Sequence, residues 1–100
     1  MKIVIAGGKA KADYLIRLLN GKGHQLIVIN DDLEFCTYLS QAHQIPVVHG
    51  DPCKLYVLDE ANIEDGDVII ALKAADADNL AICQTAKRLY RVKKTVAVVG

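Results

Sequence analysis

The sequence predicts an α/β fold in which a twisted parallel sheet is covered by helices on both faces. Short runs of β-branched and apolar residues alternate with segments of helical periodicity, which is typical of repeated βαβ units. The strand-like runs are almost continuously apolar, as expected for parallel strands that are buried on both faces. A glycine-containing loop follows the first run and leads directly into a helical pattern. Right-handed crossovers then give a Rossmann-like doubly wound sheet of five strands in the order 3-2-1-4-5.

The strands are predicted over residues 3–6, 25–29, 46–49, 68–72 and 95–99. The first helix carries apolar residues at helical spacing and is expected to end near Gly21 or Gly23. In the second helix, Asp31 and Glu34 have the spacing of a capping box. A short third helix is predicted to start with Asp51 as its N-cap and Pro52 at its first position. The last helix has Asp76 and Asp78 near its start, where negative charge suits the helix dipole.

Composition and charge restrict the classes of function. A chain of 100 residues, 52% of them apolar and 24% charged, predicts one globular domain over residues 1–100. The net charge of zero gives no overall attraction for nucleic acid, so a nucleic-acid partner is not expected. The three cysteines lack Cys-x-x-Cys spacing and are expected to be reduced thiols, and no metal site is expected. A strand-like segment at residue 1 leaves no room for a signal peptide, which predicts a cytoplasmic protein.

The loop Gly7-Gly8-Lys9-Ala10-Lys11-Ala12 follows the outline of a dinucleotide-binding fingerprint. In Gly-x-Gly-x-x-Gly, the first glycine makes a tight turn and the second lets the backbone approach a pyrophosphate. The third allows the helix to pack closely on the strand. Gly7 keeps the first position, Lys9 replaces the second glycine, and Ala12 stands at the third. The loop therefore predicts a nucleotide site that departs from the usual dinucleotide pattern.

Polar residues follow the other strands at the same edge of the predicted sheet. Asn30 ends the second strand, where the fingerprint places an acid that binds ribose hydroxyls. Asn30 can accept a hydrogen bond from a hydroxyl group, but Asn30 and Asp31 could also serve only to cap the next helix. In the motif at residues 49–52, Gly50 would allow close approach of a flat ring. Asp51 is equally consistent with contact to an adenine edge or with a plain N-cap.

Motifs spread over nearly the whole chain, in the right order, carry a resemblance to a known family. They are residues 2–7, Gly23-His24, residues 28–32, 49–52, 61–67 and 78–80, and Lys93-Lys94. The most specific are His49-Gly50-Asp51-Pro52 and Ala61-Asn62-Ile63-Glu64-Asp65-Gly66-Asp67. On these motifs the chain resembles the TrkA-N or RCK domain, the cytosolic nucleotide-binding regulator of potassium channels and transporters. Family members continue with a further strand and helix used for dimer contacts, which this chain is expected to lack.

The resemblance implies a site at the carboxyl edge of the sheet. Phosphate is expected beside the glycine loop, ribose near Asn30 and Asp32, adenine near Asp51 and Pro52, and the loop after the fourth strand beneath the ligand. The full expected binding set comprises Gly7, Gly8, Lys9, Ala10, Asn30, Asp31, Asp32, Gly50, Asp51, Pro52, Leu72 and Lys73.

The identity of the ligand depends on Lys9. Its side chain would crowd the bridging pyrophosphate of NAD(H), whereas a single phosphate needs less room and could pair with the ammonium group of Lys9 or Lys11. AMP, ADP or ATP is therefore expected in preference to NAD(H). NADP is less suited because no arginine follows Asn30 to bind a 2′-phosphate.

The resemblance also implies partners and a role. A homodimer or higher homo-oligomer is expected, attached to a membrane-embedded potassium channel or transporter subunit at the inner face of the membrane. Two alternatives are an NAD(H)-binding domain with the same role and a vestigial Rossmann scaffold that only mediates protein contacts. A small oxidoreductase is disfavoured, and no enzymatic activity is expected, because His24, His43 and His49 form no evident catalytic constellation.

Overall fold

A computed structural model describes residues 1–98 of the chain. Strands and helices alternate strictly along these residues. The elements are β1 (Lys2–Ala6), α1 (Ala10–Leu19), β2 (Gln25–Asn30), α2 (Leu33–His43), β3 (Val47–His49), α3 (Leu55–Glu60), β4 (Val68–Ala71), α4 (Asp76–Tyr90) and β5 (Lys94–Ala97). None of the helices within residues 1–98 combines the length and apolar character that crossing a bilayer requires.

The strands form one parallel sheet in the order β3-β2-β1-β4-β5, which confirms the predicted topology. β1 lies in the centre, and Ile5 is paired with Val28 of β2 on one side and with Ile70 of β4 on the other. The predicted strand limits agree with the structure to within one or two residues, except that Val99 lies outside the described residues. The carboxyl ends of β1 and β4 therefore lie side by side, at the point where the strand order reverses.

The sheet separates two apolar cores. Ile3 and Ile5 of β1 face the core beneath α1 and α2, whereas Val4 and Ala6 face the core beneath α3 and α4. The alternation follows from the twofold period of a strand, and apolar residues on both faces explain the continuous apolar runs in the sequence. Burial of each large side chain contributes roughly 1.5–3 kcal/mol to stability, so the two cores hold the strand ends in place.

The start of α2 differs from its predicted start. The N-cap is Asp32, whose carboxylate accepts a hydrogen bond of 2.9 Å from the Phe35 backbone N–H. The predicted capping box of Asp31 and Glu34 is therefore wrong by one position. The physical reason for the shift is a contact of Asn30. Its side-chain oxygen accepts a 3.1 Å hydrogen bond from the Asp32 N–H, so α2 begins one residue later than predicted.

The start of α3 also differs. Helix α3 begins at Leu55, so the prediction of Asp51 as its N-cap and Pro52 at its first position is wrong. The Asp51 carboxylate instead accepts a 2.9 Å hydrogen bond from the Cys53 N–H, and the Asp51 carbonyl accepts one from the Lys54 N–H. These bonds close a turn between β3 and α3. The Asp51 carboxylate and carbonyl, which the predicted N-cap would have used to start the helix, are therefore engaged in the turn.

Candidate functional site

A cleft of about 520 Å³ opens at the carboxyl edge of the sheet, between the glycine loop after β1 and the loop after β4. It is lined by Gly7, Gly8, Lys9, Ala10, Lys11, Asp31, Leu72, Lys73, Ala74 and Val98. Its volume is within the range of small-molecule sites, roughly 300–1,000 Å³. Its position at the reversal of strand order is where open α/β sheets bind ligands.

The cleft brings together part of the predicted binding set. The members that line it are Gly7, Gly8, Lys9, Ala10, Asp31, Leu72 and Lys73. The lining of this cleft does not include Asn30, Asp32, Gly50, Asp51 or Pro52. Lys11 was expected only as a possible phosphate partner, and Ala74 and Val98 were missed. Ala74 could have been found as the neighbour of Lys73, but Val98 comes from the segment after β5 and has no local sequence signature.

The glycines of the loop are required by backbone conformation and by close packing. Gly7 and Gly8 have φ angles of +82° and +91°, which side-chain-bearing residues rarely adopt. A Cβ atom on Gly7 would lie 2.6 Å from Cγ of Lys73, and one on Gly8 would lie 2.9 Å from Cβ of Leu72. Lys9 follows with a φ of −127°, outside the left-handed region that favours glycine. The loop after β4 can therefore approach the glycine loop closely.

Lys9 connects the glycine loop to the start of α2. Its ammonium group pairs with the Asp32 carboxylate and lies 5.3 Å from the centre of the Phe35 ring. The hydrogen bond from Lys9, together with the one from the Phe35 N–H, lowers the pKa of Asp32. Because 55% of the Lys9 side chain is exposed, this pair is open to competition from an anionic ligand.

Asn30 lies in the interior, and its side chain is hydrogen-bonded to backbone groups of the glycine loop and of Asp32. Its side chain is 1% exposed. The amide nitrogen donates a 2.7 Å hydrogen bond to the Gly8 carbonyl, and the amide oxygen accepts one of 3.1 Å from the Asp32 N–H. Asn30 therefore fixes the glycine loop against the start of α2. Asn30 does not cap α2, whose N-cap is Asp32, so the capping alternative is wrong for Asn30, and its contact with ribose stays a prediction.

Lys73 concentrates charge at the floor of the cleft. Its ammonium nitrogen lies 3.2 Å from Asp51, 3.4 Å from Asp31 and 4.0 Å from Asp78. Burial opposes its charge, but the hydrogen bond to Asp51 and the attraction of Asp51 and Asp31 outweigh it and raise the pKa of Lys73. The pKa of Asp51 is lowered, first by the Cys53 N–H and then by Lys73. The ends of β2 and β3 and the start of α4 are thus linked through one cation.

Asn79 holds the backbone that carries Lys73. It is 1% exposed, and its side-chain oxygen accepts a 2.7 Å hydrogen bond from the Lys73 N–H. Its amide nitrogen donates to the Lys73 carbonyl at 2.9 Å and to the Val98 carbonyl at 3.1 Å. Asn79 therefore joins α4, the loop after β4 and the end of β5 behind the cleft. The sequence marked Asn79 only as part of the motif at residues 78–80.

The histidines lie apart from one another. His49 Nε2 lies 3.2 Å from the Asp31 carbonyl, near the cleft. His24 lies beside the amino terminus of Met1 at the opposite edge, and His43 Nε2 lies 2.6 Å from Asp13 between α1 and α2. Over residues 1–98, no group of three or more His, Cys, Asp or Glu side chains is arranged to hold a metal ion.

The sequence also matches a known family over almost its whole length. The profile of the TrkA-N domain matches residues 3–100. The chain belongs to the TrkA-N family. The motif resemblance therefore predicted the family correctly.

Relatives of this TrkA-N chain include components of potassium transport systems. The Trk system potassium uptake protein TrkA of Halomonas elongata is 33% identical over 100 residues, which cover 99% of this chain and 21% of that protein. The GsuK channel bound to NAD superposes with a TM-score of 0.79 at 28% identity, over 96% of this chain and 18% of that chain. The matched module also occurs in the structure of the GsuK RCK domain.

The AMP-bound Kef CTD of Shewanella denitrificans superposes with a TM-score of 0.76 at 22% identity. It covers 97% of this chain and 58% of the Kef chain, and at this identity it shows a shared fold. The TrkA-N chain described here thus spans only a minor part of its potassium-transport relatives.

Proposed function

We propose that this TrkA-N chain is a regulatory domain of a potassium channel or uptake system and that it senses an adenine nucleotide. The observation that carries the proposal is the carboxyl-edge cleft, where two glycines expose backbone beside Lys9, Lys11 and Lys73. Open backbone and cationic side chains are what a phosphate group needs. The potassium uptake relative and the NAD-bound GsuK channel support the same role.

We infer that AMP, ADP or ATP is preferred to NAD(H). The Cβ of Lys9 stands at the position where the fingerprint exposes bare backbone to a pyrophosphate. The ammonium group of Lys9 is held by an exposed pair with Asp32 beside the Phe35 ring, so a terminal phosphate can compete for it. The AMP-bound Kef structure has the same fold. NAD(H) is the second candidate because the NAD-bound GsuK channel is more similar in sequence.

The domain is proposed to bind its nucleotide without transforming it. Three charged side chains that line the cleft are engaged in ion pairs: Lys9 pairs with Asp32, and Lys73 pairs with Asp31 and also with Asp51. Such pairs suit a site that holds a ligand better than one that transfers a proton. A vestigial scaffold without ligand is the remaining alternative.

The proposed partners are a second copy of the chain and a membrane-embedded potassium channel or transporter subunit. The domain would then lie in the cytoplasm at the inner face of the membrane, and no nucleic-acid partner is proposed. For nucleotide to regulate such an assembly, the nucleotide must bind one assembly state more tightly than the other. Light scattering after size-exclusion chromatography, with and without AMP, measures both the assembly and its response.

Thermal-shift titration with AMP, ATP, NAD and NADH tests the function. A ligand at about 100 times its Kd stabilises the native state by about 2.7 kcal/mol. For a domain of this size that corresponds to a rise in Tm of roughly 10–20 °C, and AMP or ATP is expected to give the larger rise. No rise with any nucleotide at millimolar concentration would refute sensing and leave the scaffold. A larger rise with NADH would keep the role and change the ligand.

A further inference from the structure

We propose that the amino edge of the sheet is a membrane-facing surface that binds anionic phospholipid. The amino edge is the end of the molecule where the parallel strands begin and where α1 and α4 end. The cleft lies at the opposite, carboxyl edge. The inference goes beyond nucleotide sensing and rests on the proposed attachment of the domain to a membrane-embedded transport protein.

Basic side chains are concentrated at the amino edge. The segment that joins the last turn of α4 to the start of β5 carries the cations Lys87, Arg88, Arg91, Lys93 and Lys94. Lys22 adds another from the turn between α1 and β2. All of these residues are exposed. A chain of zero net charge therefore carries positive charge at one edge, where it can attract an anionic surface.

Carboxylates of the loop before β4 neutralise part of this charge. Arg91 lies 2.8 Å from Glu64 and 3.0 Å from Asp65, and Lys93 lies 3.5 Å from Asp67. The cations of this edge that form no ion pair within residues 1–98 are Lys22, Lys87, Arg88 and Lys94.

Two further carboxylates, Asp59 and Glu60, lie at the end of α3. Asp59 accepts a 2.6 Å hydrogen bond from the Tyr90 hydroxyl. The unpaired cations outnumber these two carboxylates, so the amino edge keeps an excess of positive charge. The helix dipole accounts for cations in the last turn of α4, but Lys94 begins β5 and lies beyond the reach of that dipole.

Exposed leucines accompany the cations at the same edge. Leu18 near the end of α1 is 47% exposed, and Leu89 near the end of α4 is 61% exposed. The two helices cover opposite faces of the sheet, so the leucines flank the edge from both sides. At a lipid surface, apolar side chains enter the boundary of the acyl chains while ammonium groups meet the phosphates. Leucines beside cations therefore favour a membrane over an acidic protein surface, which would match the cations alone.

The surface also sets the orientation of the cleft. Carboxylates follow the strands at the carboxyl edge, namely Asp31, Asp32, Asp51, Asp76 and Asp78. Anionic headgroups repel these groups and attract the amino edge, so the domain meets the membrane in one orientation. The cleft then opens away from the lipid, where nucleotide can enter and leave. Such contact is weak by itself and orients a domain that a transport protein already holds near the membrane.

Co-sedimentation of the 100-residue chain with lipid vesicles tests the surface without any nucleotide. Vesicles of phosphatidylcholine with about 30% phosphatidylglycerol should bind the chain about a hundredfold more tightly than pure phosphatidylcholine vesicles. Raising the salt concentration from about 50 mM to about 500 mM should remove most of that difference, because salt screens exposed charges.

Substitutions locate the binding surface. Lys94→Gln should weaken binding to the anionic vesicles about fivefold, and the double variant Lys87→Gln/Arg88→Gln about 25-fold. Lys54→Gln removes an exposed lysine before α3 on the carboxyl side and should change binding less than about twofold. Urea denaturation should give the same midpoint for the wild type and all variants, because these side chains are exposed and unpaired within residues 1–98.

Equal binding of neutral and anionic vesicles, or equal losses in Lys94→Gln and Lys54→Gln, would overturn the assignment. Binding of poly-glutamate without binding of the anionic vesicles would assign the amino edge to an acidic protein and overturn the lipid assignment.

Titration with AMP in the presence and absence of the anionic vesicles tests the orientation. The two affinities should agree within about twofold, since the cleft faces away from the lipid. Loss of AMP binding on the vesicles would overturn the proposed orientation. Absence of AMP binding without vesicles would instead refute the proposed nucleotide function, and the vesicle assay decides the surface independently of that result.

Discussion

Lys9 occupies the position that decides how a phosphate group can approach the glycine loop. Sequence reasoning expected its side chain to crowd a pyrophosphate and its ammonium group to meet a single phosphate. The structure separates these two effects. The Cβ is fixed in the loop by the backbone, whereas the ammonium group extends to Asp32 and Phe35 and is more than half exposed. The steric effect of the Lys9 Cβ and the attraction of its ammonium group for phosphate can therefore be tested separately by substitution.

Lys9→Gly and Lys9→Ala separate the two contributions. Both variants lose the ammonium group and should bind AMP more weakly, by roughly two- to tenfold. Only Lys9→Gly removes the Cβ, so only this variant should shift the NADH to AMP affinity ratio, by about tenfold toward NADH. Isothermal titration with both nucleotides measures the ratios. Unchanged selectivity in Lys9→Gly would show that the side chain does not control the ligand.

At the end of β2, the sequence predicts the position of the polar residues but not the contacts of each side chain. The position of Asn30, Asp31 and Asp32 at the sheet edge followed from the strand pattern alone. Which of the three faces the cleft depends on the hydrogen bonds of Asn30 to Gly8 and Asp32. The first of these bonds joins residues 22 positions apart, so no local pattern predicts it.

Between elements, Asp13 joins α1 to α2. Its carboxylate lies 2.6 Å from His43 Nε2 and accepts hydrogen bonds of 2.8 Å from Arg17 and 3.2 Å from Tyr38. The hydrogen bond with His43, with help from Arg17 and Tyr38, lowers the pKa of Asp13 although burial opposes this. A folded-state pKa below the unfolded value means that the ionised carboxylate stabilises the fold.

Asp13→Asn should lower the free energy of unfolding by about 1–2 kcal/mol at pH 5–6, as measured by urea denaturation. The unfolded chain binds more protons than the folded one near pH 4, so the wild-type advantage should shrink as the pH falls below about 4. Glu60→Gln, at an exposed site, should show no such pH dependence. A gap between wild type and Asp13→Asn that stayed constant from pH 6 to about pH 2 would contradict this role.

Asn79 joins three elements behind the cleft through hydrogen bonds to Lys73 and Val98. Asn79→Ala leaves these backbone groups without partners and should cost about 2–4 kcal/mol in the free energy of unfolding. Asn20→Ala removes an exposed amide that bonds the His43 carbonyl and should cost less than about 1 kcal/mol. Equal losses in the two variants, measured by urea denaturation, would show that Asn79 has no special role.

The order of elements could be predicted because apolar runs and helical periodicity mark each strand and helix. The start of α3 could not, although Asp51-Pro52 is a good helix-start pattern. The Asp51 carboxylate lies beside the Cys53 N–H and the Lys73 ammonium group, and Lys73 lies in the loop after β4, a strand that is not adjacent to β3. The contact with Lys73, which is absent from the local pattern, thus helps to hold Asp51 in a turn.

In the whole molecule, zero net charge coexists with a strongly charged carboxyl edge. The topology brings together lysines from the β1 and β4 loops and carboxylates that follow β2 and β3. The strand order could be predicted because right-handed βαβ crossovers allow few arrangements. The position of Val98 in the cleft depends on how β5 pairs with β4. The strand order therefore predicted where the cleft lies, whereas the side chains that line it depend on tertiary contacts.

Amide chemical-shift mapping by NMR, with the ¹⁵N-labelled 100-residue chain titrated with AMP and separately with NADH, tests the central proposal most directly. AMP is expected to shift the amide resonances of Gly7, Gly8, Ala10, Asp31 and Lys73 and to leave Gly21, Gly23 and His24 at the opposite edge unchanged. NADH should produce the same changes only at higher concentration. Absence of changes at millimolar AMP, changes confined to the opposite edge, or tighter binding of NADH would contradict an adenine mononucleotide in this cleft.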